Sequence, residues 1–245
     1  MSSPLSQLGK RMIKQLQVGR RRARLFFDGV MDWRMNVDTR SGAWTAIPRA
    51  GDPGHETWVA EGLRRYLPSD TSRFNDSYPN IPVSWMALRT FVDRTRLRPH
   101  DVFYDIGCGS GRVLCFVAGT RLMKCVGVEL SADFAAKAGA NARSLRGRVS
   151  PIEIRVGDAA EMDYTDGTVF FLFNPFGRET LQNVLERIRE TLSGHPRPVR
   201  FIYVSPVHRA AFESSGWLEF SGARGLTYSG QRAEYWTNDL RSGAL

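Results

Sequence analysis

Short apolar runs alternate with amphipathic stretches of helix length from residue 100 onward. The apolar runs predict five strands, at 101–106, 124–129, 152–156, 168–173 and 199–204. The stretches between them predict helices at about 111–119, 132–145, 178–193 and 207–214. Strands separated by helices of this length imply right-handed crossovers and a parallel sheet that is covered on both faces.

The pattern changes after residue 215. Two strand-like segments, 217–225 and 232–239, follow each other with no helical stretch between them. We therefore expect an antiparallel hairpin at one edge of the sheet.

The first hundred residues are less regular. Leu5, Leu8, Met12 and Leu16 fall on one face of a predicted helix at 4–17. Stretches rich in Gly, Pro and small polar residues predict loops at 38–54 and 69–82, with a short helix at 56–66 between them. A further helix at 83–95 would bury Trp85, Leu88, Phe91 and Val92. The predicted organisation is a basic N-terminal arm (1–37), a linker with a helical lid segment (38–99) and an α/β domain (100–245).

The charge of the chain is concentrated in the arm. The net charge is +9, and residues 1–27 hold seven basic side chains and no acidic one. Without them the chain has 27 basic and 25 acidic residues, so the body is nearly neutral. Residues 1–24 could bind nucleic acid or an anionic membrane surface; alternatively they dock on the chain's own body or on a second subunit of a homodimer, which we favour.

The cysteines and the apolar runs restrict the setting. Cys108, Cys115 and Cys125 lack CxxC spacing and the four histidines are scattered, so we expect reduced thiols and no metal site. No run of eighteen apolar residues is present, and no apolar stretch typical of a secretory signal follows the basic start. These features predict a cytoplasmic protein.

The first predicted strand leads into a glycine-rich loop with the sequence DIGCGSG. Gly107, Gly109 and Gly111 permit positive φ angles and close approach of a ligand to the backbone ahead of a helix N-terminus. A dinucleotide-binding fingerprint would need a third glycine at the position of Arg112. Asp105 would repel a pyrophosphate, so the loop favours a ligand with a cationic end.

Acidic residues end the first three strands. Glu129 follows the second strand and could bridge the two hydroxyls of a ribose. Asp158 follows the third, where it could accept from an exocyclic amine while the Ala159 N–H donates to a ring nitrogen. Because parallel strands present their carboxyl ends at one edge, these groups should line one crevice.

The ordered set DIGCGSG, GVEL, GDAAEMD and FLFNPFG resembles the motifs of class I S-adenosylmethionine-dependent methyltransferases, strongly over residues 101–177. The resemblance implies a Rossmann-like, doubly wound sheet of seven mostly parallel strands in the order 3-2-1-4-5-7-6, with one antiparallel strand and an N-terminal helical extension. It also implies a set of residues that bind the cofactor S-adenosyl-L-methionine: Asp105, Gly107, Cys108, Gly109, Gly111, Glu129, Asp158, Ala159 and Asn174. By position, Asp105 and the glycine loop hold the methionine end, Glu129 the ribose, and Asp158 with Ala159 the adenine.

The stretch FNPFG after the fourth strand is the predicted acceptor site. It resembles the Asn-Pro-Pro-Tyr motif of amino-group methyltransferases, although the second proline is missing and the aromatic residue comes one position early. By this resemblance Asn174 and Pro175 would orient the acceptor and Phe176 would wall off water. The alternative makes Asn174 the N-cap of a helix that starts at Pro175, with Phe176 in the core.

The chain is also similar, more loosely, to the non-SET histone-lysine methyltransferases of the disruptor-of-telomeric-silencing type, and to bacterial methyltransferases with an FNPF string. The predicted reaction is in-line methyl transfer to a nitrogen or oxygen nucleophile of a small molecule or protein, with no general base assigned. A nucleic-acid enzyme of the adenine-N6 type is the first alternative. A non-enzymatic protein that binds the cofactor or a membrane surface is the second.

Overall fold

The computed structural model describes residues 23–39, 82–226 and 231–239. The predicted helices at 4–17 and 56–66, most of the loop at 38–54 and nearly all of the segment at 69–82 lie outside these residues. Within the described part, no helix is both long and apolar enough to cross a lipid bilayer.

Within the described residues, seven strands form one sheet in the order β3-β2-β1-β4-β5-β7-β6. Their bounds are Val102–Ile106 (β1), Lys124–Glu129 (β2), Ile152–Val156 (β3), Val169–Leu172 (β4), Arg200–Val204 (β5), Glu219–Gly225 (β6) and Arg232–Thr237 (β7). Neighbouring strands from β3 to β5 pair in parallel, whereas β7 is antiparallel to both β5 and β6. The predicted strand order and the closing hairpin are confirmed.

Six helices surround the sheet in the described part of the chain. They are residues 23–35 (α1), Trp85–Asp93 (α2), Arg112–Val117 (α3), Ala132–Ser144 (α4), Arg178–Gly194 (α5) and Arg209–Glu213 (α6), and a 3₁₀ turn covers Ala159–Glu161. The predicted helix at 83–95 is two residues shorter at each end. It begins at Trp85 because the Ser84 hydroxyl caps it, accepting from the Ala87 N–H at 3.2 Å.

Two hydrophobic clusters lie on the two faces of the sheet. The first contains the predicted buried residues of α2 (Trp85, Leu88, Phe91 and Val92) together with residues of α3. The second is built on α5, which buries Leu181, Val184, Leu185 and Ile188 as its periodicity predicts. β4 is buried along its whole length, because a central parallel strand faces a layer of helices on each side.

The second half of the predicted arm is packed on the body of the protein. Asp28 and Asp32 of α1 are both 2% exposed, and Arg112 at the start of α3 contacts them at 3.0 Å and 3.6 Å. Asp32 also accepts from the Trp85 indole N–H at 2.8 Å. Of residues 1–24, for which docking is predicted, only 23 and 24 are described, so the docking of that segment stays a prediction.

Candidate active site

The glycine loop after β1 has the backbone that its sequence predicts. Gly107, Gly109 and Gly111 have φ angles of 77°, 53° and 81°, so each lies in the left-handed region. The N–H groups of Gly107 and Cys108 both donate to the Val128 carbonyl, at 2.9 Å and 3.0 Å. These bonds hold the loop over the end of β2. Helix α3 begins one residue later than predicted because Gly111 is its left-handed N-cap.

Asp105 is a buried carboxyl group without a full set of partners. It is 3% exposed in β1, and its Oδ2 has no hydrogen-bond partner among the described residues. Burial, reinforced by the negative charge of Glu129, raises the pKa of Asp105 well above its usual range. A buried carboxyl group with an unpaired oxygen, two residues before the glycine loop, fits a cationic ligand group and disfavours a phosphate.

Glu129 joins the end of β2 to the glycine loop. Its Oε2 accepts from the Gly109 N–H at 2.8 Å and its Oε1 from the Ser131 N–H at 2.9 Å. Burial raises the pKa of Glu129, and the backbone donors partly offset this rise. Each carboxylate oxygen keeps acceptor capacity beyond one N–H, so the group can still bind hydroxyls.

The loop after β3 lies beside Glu129, whose carbonyl accepts from the Gly157 N–H at 3.0 Å. Asp158 is exposed and caps the 3₁₀ turn by accepting from the Ala160 N–H at 2.9 Å. Ala159 is buried, and its carbonyl accepts from the Tyr164 hydroxyl at 2.7 Å. The structure thus brings the predicted ribose and adenine residues to one edge, while Asp158 has a local structural role as well.

The Cys108 side chain is buried against β2. It is 7% exposed, and a Cβ added to Gly127 of β2 would come within 2.7 Å of its Sγ. Burial raises the pKa of this thiol well above its usual range, so it remains protonated. We therefore expect its backbone, and not its thiol, to contribute to ligand binding. None of the three cysteines forms a disulfide.

The stretch after β4 contacts the glycine loop directly. A Cβ placed on Gly107 would lie 2.5 Å from the Pro175 Cβ, so the two backbones are as close as a glycine allows. Asn174 has φ 45°, an unusual left-handed conformation that asparagine tolerates better than most residues. Its Oδ1 accepts from the Tyr203 hydroxyl of β5 at 3.2 Å. The predicted acceptor residues therefore lie next to the loop that would hold the cofactor.

The alternative interpretation of Asn174 as a helix cap is wrong. Helix α5 begins at Arg178 and its N-cap is Gly177. The left-handed turn at Asn174 interrupts the chain between β4 and α5, which is why no helix starts at Pro175. Phe176 is 7% exposed and belongs to the second hydrophobic cluster, as that alternative predicted for this residue, so its ring anchors this turn in the core.

The sequence did not predict the contacts of two further side chains, those of Tyr203 and Arg112. Tyr203 lies in an apolar strand and gives no signal that its hydroxyl reaches Asn174. In the sequence, Arg112 stands out only because it occupies the position of the third glycine of a dinucleotide-binding fingerprint. In the structure its guanidinium is 2% exposed and contacts the two acids of α1. The i, i+4 spacing of Asp28 and Asp32 directly after a basic stretch was the signal that could have suggested a buried partner.

Residues 103–194 match the family described as "Methyltransferase domain". The chain is 28% identical over 142 residues to a protein-lysine N-methyltransferase of Saccharolobus islandicus, a match that covers 57% of this chain and 80% of that protein. It is 28% identical over 151 residues to ajmaline N-methyltransferase of Rauvolfia serpentina, covering 62% of this chain and 51% of that protein. Among solved structures, an RNA methyltransferase from Salinibacter ruber in complex with S-adenosyl-L-homocysteine is 25% identical with a TM-score of 0.50, covering 64% of this chain and 93% of that one.

Proposed function

Because the chain is a class I S-adenosylmethionine-dependent methyltransferase, we propose that it methylates a nitrogen nucleophile on a protein or a small molecule. The cofactor is S-adenosyl-L-methionine, which supplies a methyl group on a sulfonium that is already a good leaving group. The residues of the site fit this cofactor: Asp105 is a buried, incompletely paired carboxyl group for its cationic methionine end. Glu129 offers carboxylate oxygens for its ribose hydroxyls.

The observation that carries the proposal is the contact between Pro175 and Gly107. It brings Asn174 beside the loop assigned to the methionine end, where the reacting methyl group would lie. Pro175 has no N–H, so this turn offers carbonyl oxygens to an acceptor amine. Tyr203 fixes the Asn174 amide through its Oδ1, which holds the side chain in one orientation. In-line attack needs chiefly such alignment and the exclusion of water.

The relatives support nitrogen as the acceptor atom. The relatives from Saccharolobus islandicus and Rauvolfia serpentina are both named as N-methyltransferases. The first is named for protein lysine and the second for ajmaline. These names give no comparable support to an oxygen acceptor. In addition, the Asn174 amide oxygen accepts hydrogen bonds, which suits an amine with two N–H groups.

Transfer of labelled methyl groups into fractionated lysate tests the proposal. We expect label in protein or in small molecules, and N-methylated amino acids after hydrolysis of a labelled protein. Asn174→Ala should lower turnover by about 10- to 1000-fold with cofactor affinity nearly unchanged, the range for loss of one positioned polar group. Asn183→Ala, an exposed asparagine of α5, is the matched control and should leave turnover unchanged. Normal turnover of the Asn174 variant would refute the orienting role.

An RNA acceptor is the second candidate. It is supported by the similarity to the Salinibacter ruber RNA methyltransferase and by the seven basic residues of positions 1–27. In the same experiment label would enter the RNA fraction. Binding to RNA would then weaken steeply with salt, because contacts to phosphates release counterions.

A further inference from the structure

Helix α1 buries its two acidic residues and packs Met31 and Met35 against the core, while four of its other apolar residues are exposed. Asp28 and Asp32 face the body of the protein, where Arg112 contacts both. On the opposite side Phe26 and Trp33 are 76% and 77% exposed. An ordinary surface helix buries its apolar face and turns charged residues to water, whereas α1 also carries an apolar face on its outer side.

The exposed apolar residues form one stripe. Phe26, Val30 and Trp33 follow each other at spacings of four and three, and Phe27, 38% exposed, lies beside them. These four residues are the outer stripe. Large apolar side chains that share one exposed helix face mark an interaction surface, unlike single exposed residues.

Basic residues precede the outer stripe in the sequence and lie at the C-terminal end of α1 in the structure. Residues 1–22, which lead into α1, hold six basic side chains and no acidic one. At the other end of α1, the Arg146 N–H donates to the Met35 carbonyl at 3.0 Å. The segment 143–148 around this contact exposes three arginines, Arg143, Arg146 and Arg148. Asp38, the next acidic residue after α1, pairs with Lys137 at 3.2 Å.

We propose that the outer stripe is a docking surface for an anionic phospholipid membrane. Aromatic and aliphatic side chains on one helix face, with basic residues at both ends, suit the boundary between acyl chains and acidic headgroups. A second copy of the chain would bring its own basic residues against the basic residues of the first copy. This repulsion costs energy in a symmetric interface. Nucleic acid would use the aromatic rings for stacking but would leave Val30 without a partner.

The docked protein would hold the glycine loop close to the membrane. The Thr39 carbonyl, four residues beyond α1, accepts from the Ser110 hydroxyl at 3.1 Å. The surface and the cofactor loop are therefore joined by a short connection. This inference does not depend on the acceptor of the methyl group.

Flotation of the full chain with vesicles tests the surface. We expect binding to vesicles of phosphatidylcholine with phosphatidylglycerol, little binding to phosphatidylcholine alone, and weaker binding at high salt. Phe26→Ser combined with Trp33→Ser should weaken binding about tenfold or more, since two interfacial aromatic side chains are lost. Met123→Ser combined with Val156→Ser is the matched control. Those residues are 60% and 56% exposed elsewhere on the surface, and their loss should leave binding unchanged.

Four outcomes would overturn the proposal. Unchanged vesicle binding by the Phe26 and Trp33 variant would assign the attraction to the basic residues alone. A lower melting temperature of that variant would show that the stripe packs against the chain's own residues. Loss of a dimer in light scattering would identify a second copy as the occupant. Binding to an RNA oligonucleotide that the variant weakens, with no vesicle binding by the parent chain, would identify nucleic acid.

Discussion

Replacing Gly107 by alanine should destabilise the protein and weaken cofactor binding together. The new Cβ would lie 2.5 Å from the Pro175 Cβ, well inside the roughly 3.5–4.0 Å of carbon contacts, and a proline ring carbon cannot rotate away. The φ of 77° costs an alanine about 1–2 kcal/mol, and the overpacking adds about 1–3 kcal/mol. The free energy of unfolding should therefore fall by about 2–5 kcal/mol.

Thermal unfolding measures this effect, and Gly147→Ala is its control. Gly147 has φ 74° with nothing within 4 Å of an added Cβ. Alanine at this position therefore incurs the cost of the left-handed backbone without a clash. For a domain of this size each kcal/mol lowers the melting temperature by roughly 2–4 °C, so we expect about 2–8 °C for Gly147→Ala and about 4–20 °C for Gly107→Ala.

Equal losses in the two variants would refute the inferred contact with Pro175. A double-mutant cycle provides a second check, because Pro175→Gly removes the opposing Cβ. In that background Gly107→Ala should cost only the backbone term, so the two substitutions should couple favourably. Calorimetry with S-adenosylhomocysteine should show the affinity loss in Gly107→Ala but none in Gly147→Ala.

Two predictions concern the carboxylates of the crevice. Glu129→Gln should weaken S-adenosylhomocysteine binding about 10- to 100-fold, since charge-assisted hydrogen bonds to the ribose become neutral ones; unchanged affinity in a folded variant would exclude Glu129 from the ligand. Because the pKa of Asp105 is raised, the folded protein without ligand keeps a proton on this group at pH values where the unfolded chain has already lost it. Between the usual carboxyl pKa and the raised one, the contribution of Asp105 to stability therefore falls as pH rises. Because a cationic ligand favours the carboxylate, affinity for S-adenosylmethionine should rise with pH through the same window with release of a proton. Calorimetry in buffers of different ionisation enthalpy measures this release, which Asp105→Asn should abolish.

The predictions that held depend on local or repetitive features of the chain. The alternation of apolar runs and amphipathic stretches predicted the strands to within one or two residues, most clearly for β4, which is buried along its whole length and is therefore continuously apolar. Glycines at alternate positions predicted the left-handed loop, since other residues resist that conformation. The acids at the ends of β1, β2 and β3 met at one edge because parallel strands share their polarity.

Pairings between distant residues were decided only by the tertiary structure. Arg112 and Asp28 are 84 positions apart, and neither local pattern distinguishes a buried ion pair from two solvated charges. The sequence favoured Asn174 as an orienting residue for the acceptor but left the helix cap open as an alternative. The left-handed turn after β4 and the Tyr203 hydroxyl, 29 positions further along, decided against the cap. Hydrophobic periodicity shows which side chains leave water, but the partner of a buried polar group depends on which elements the fold brings together.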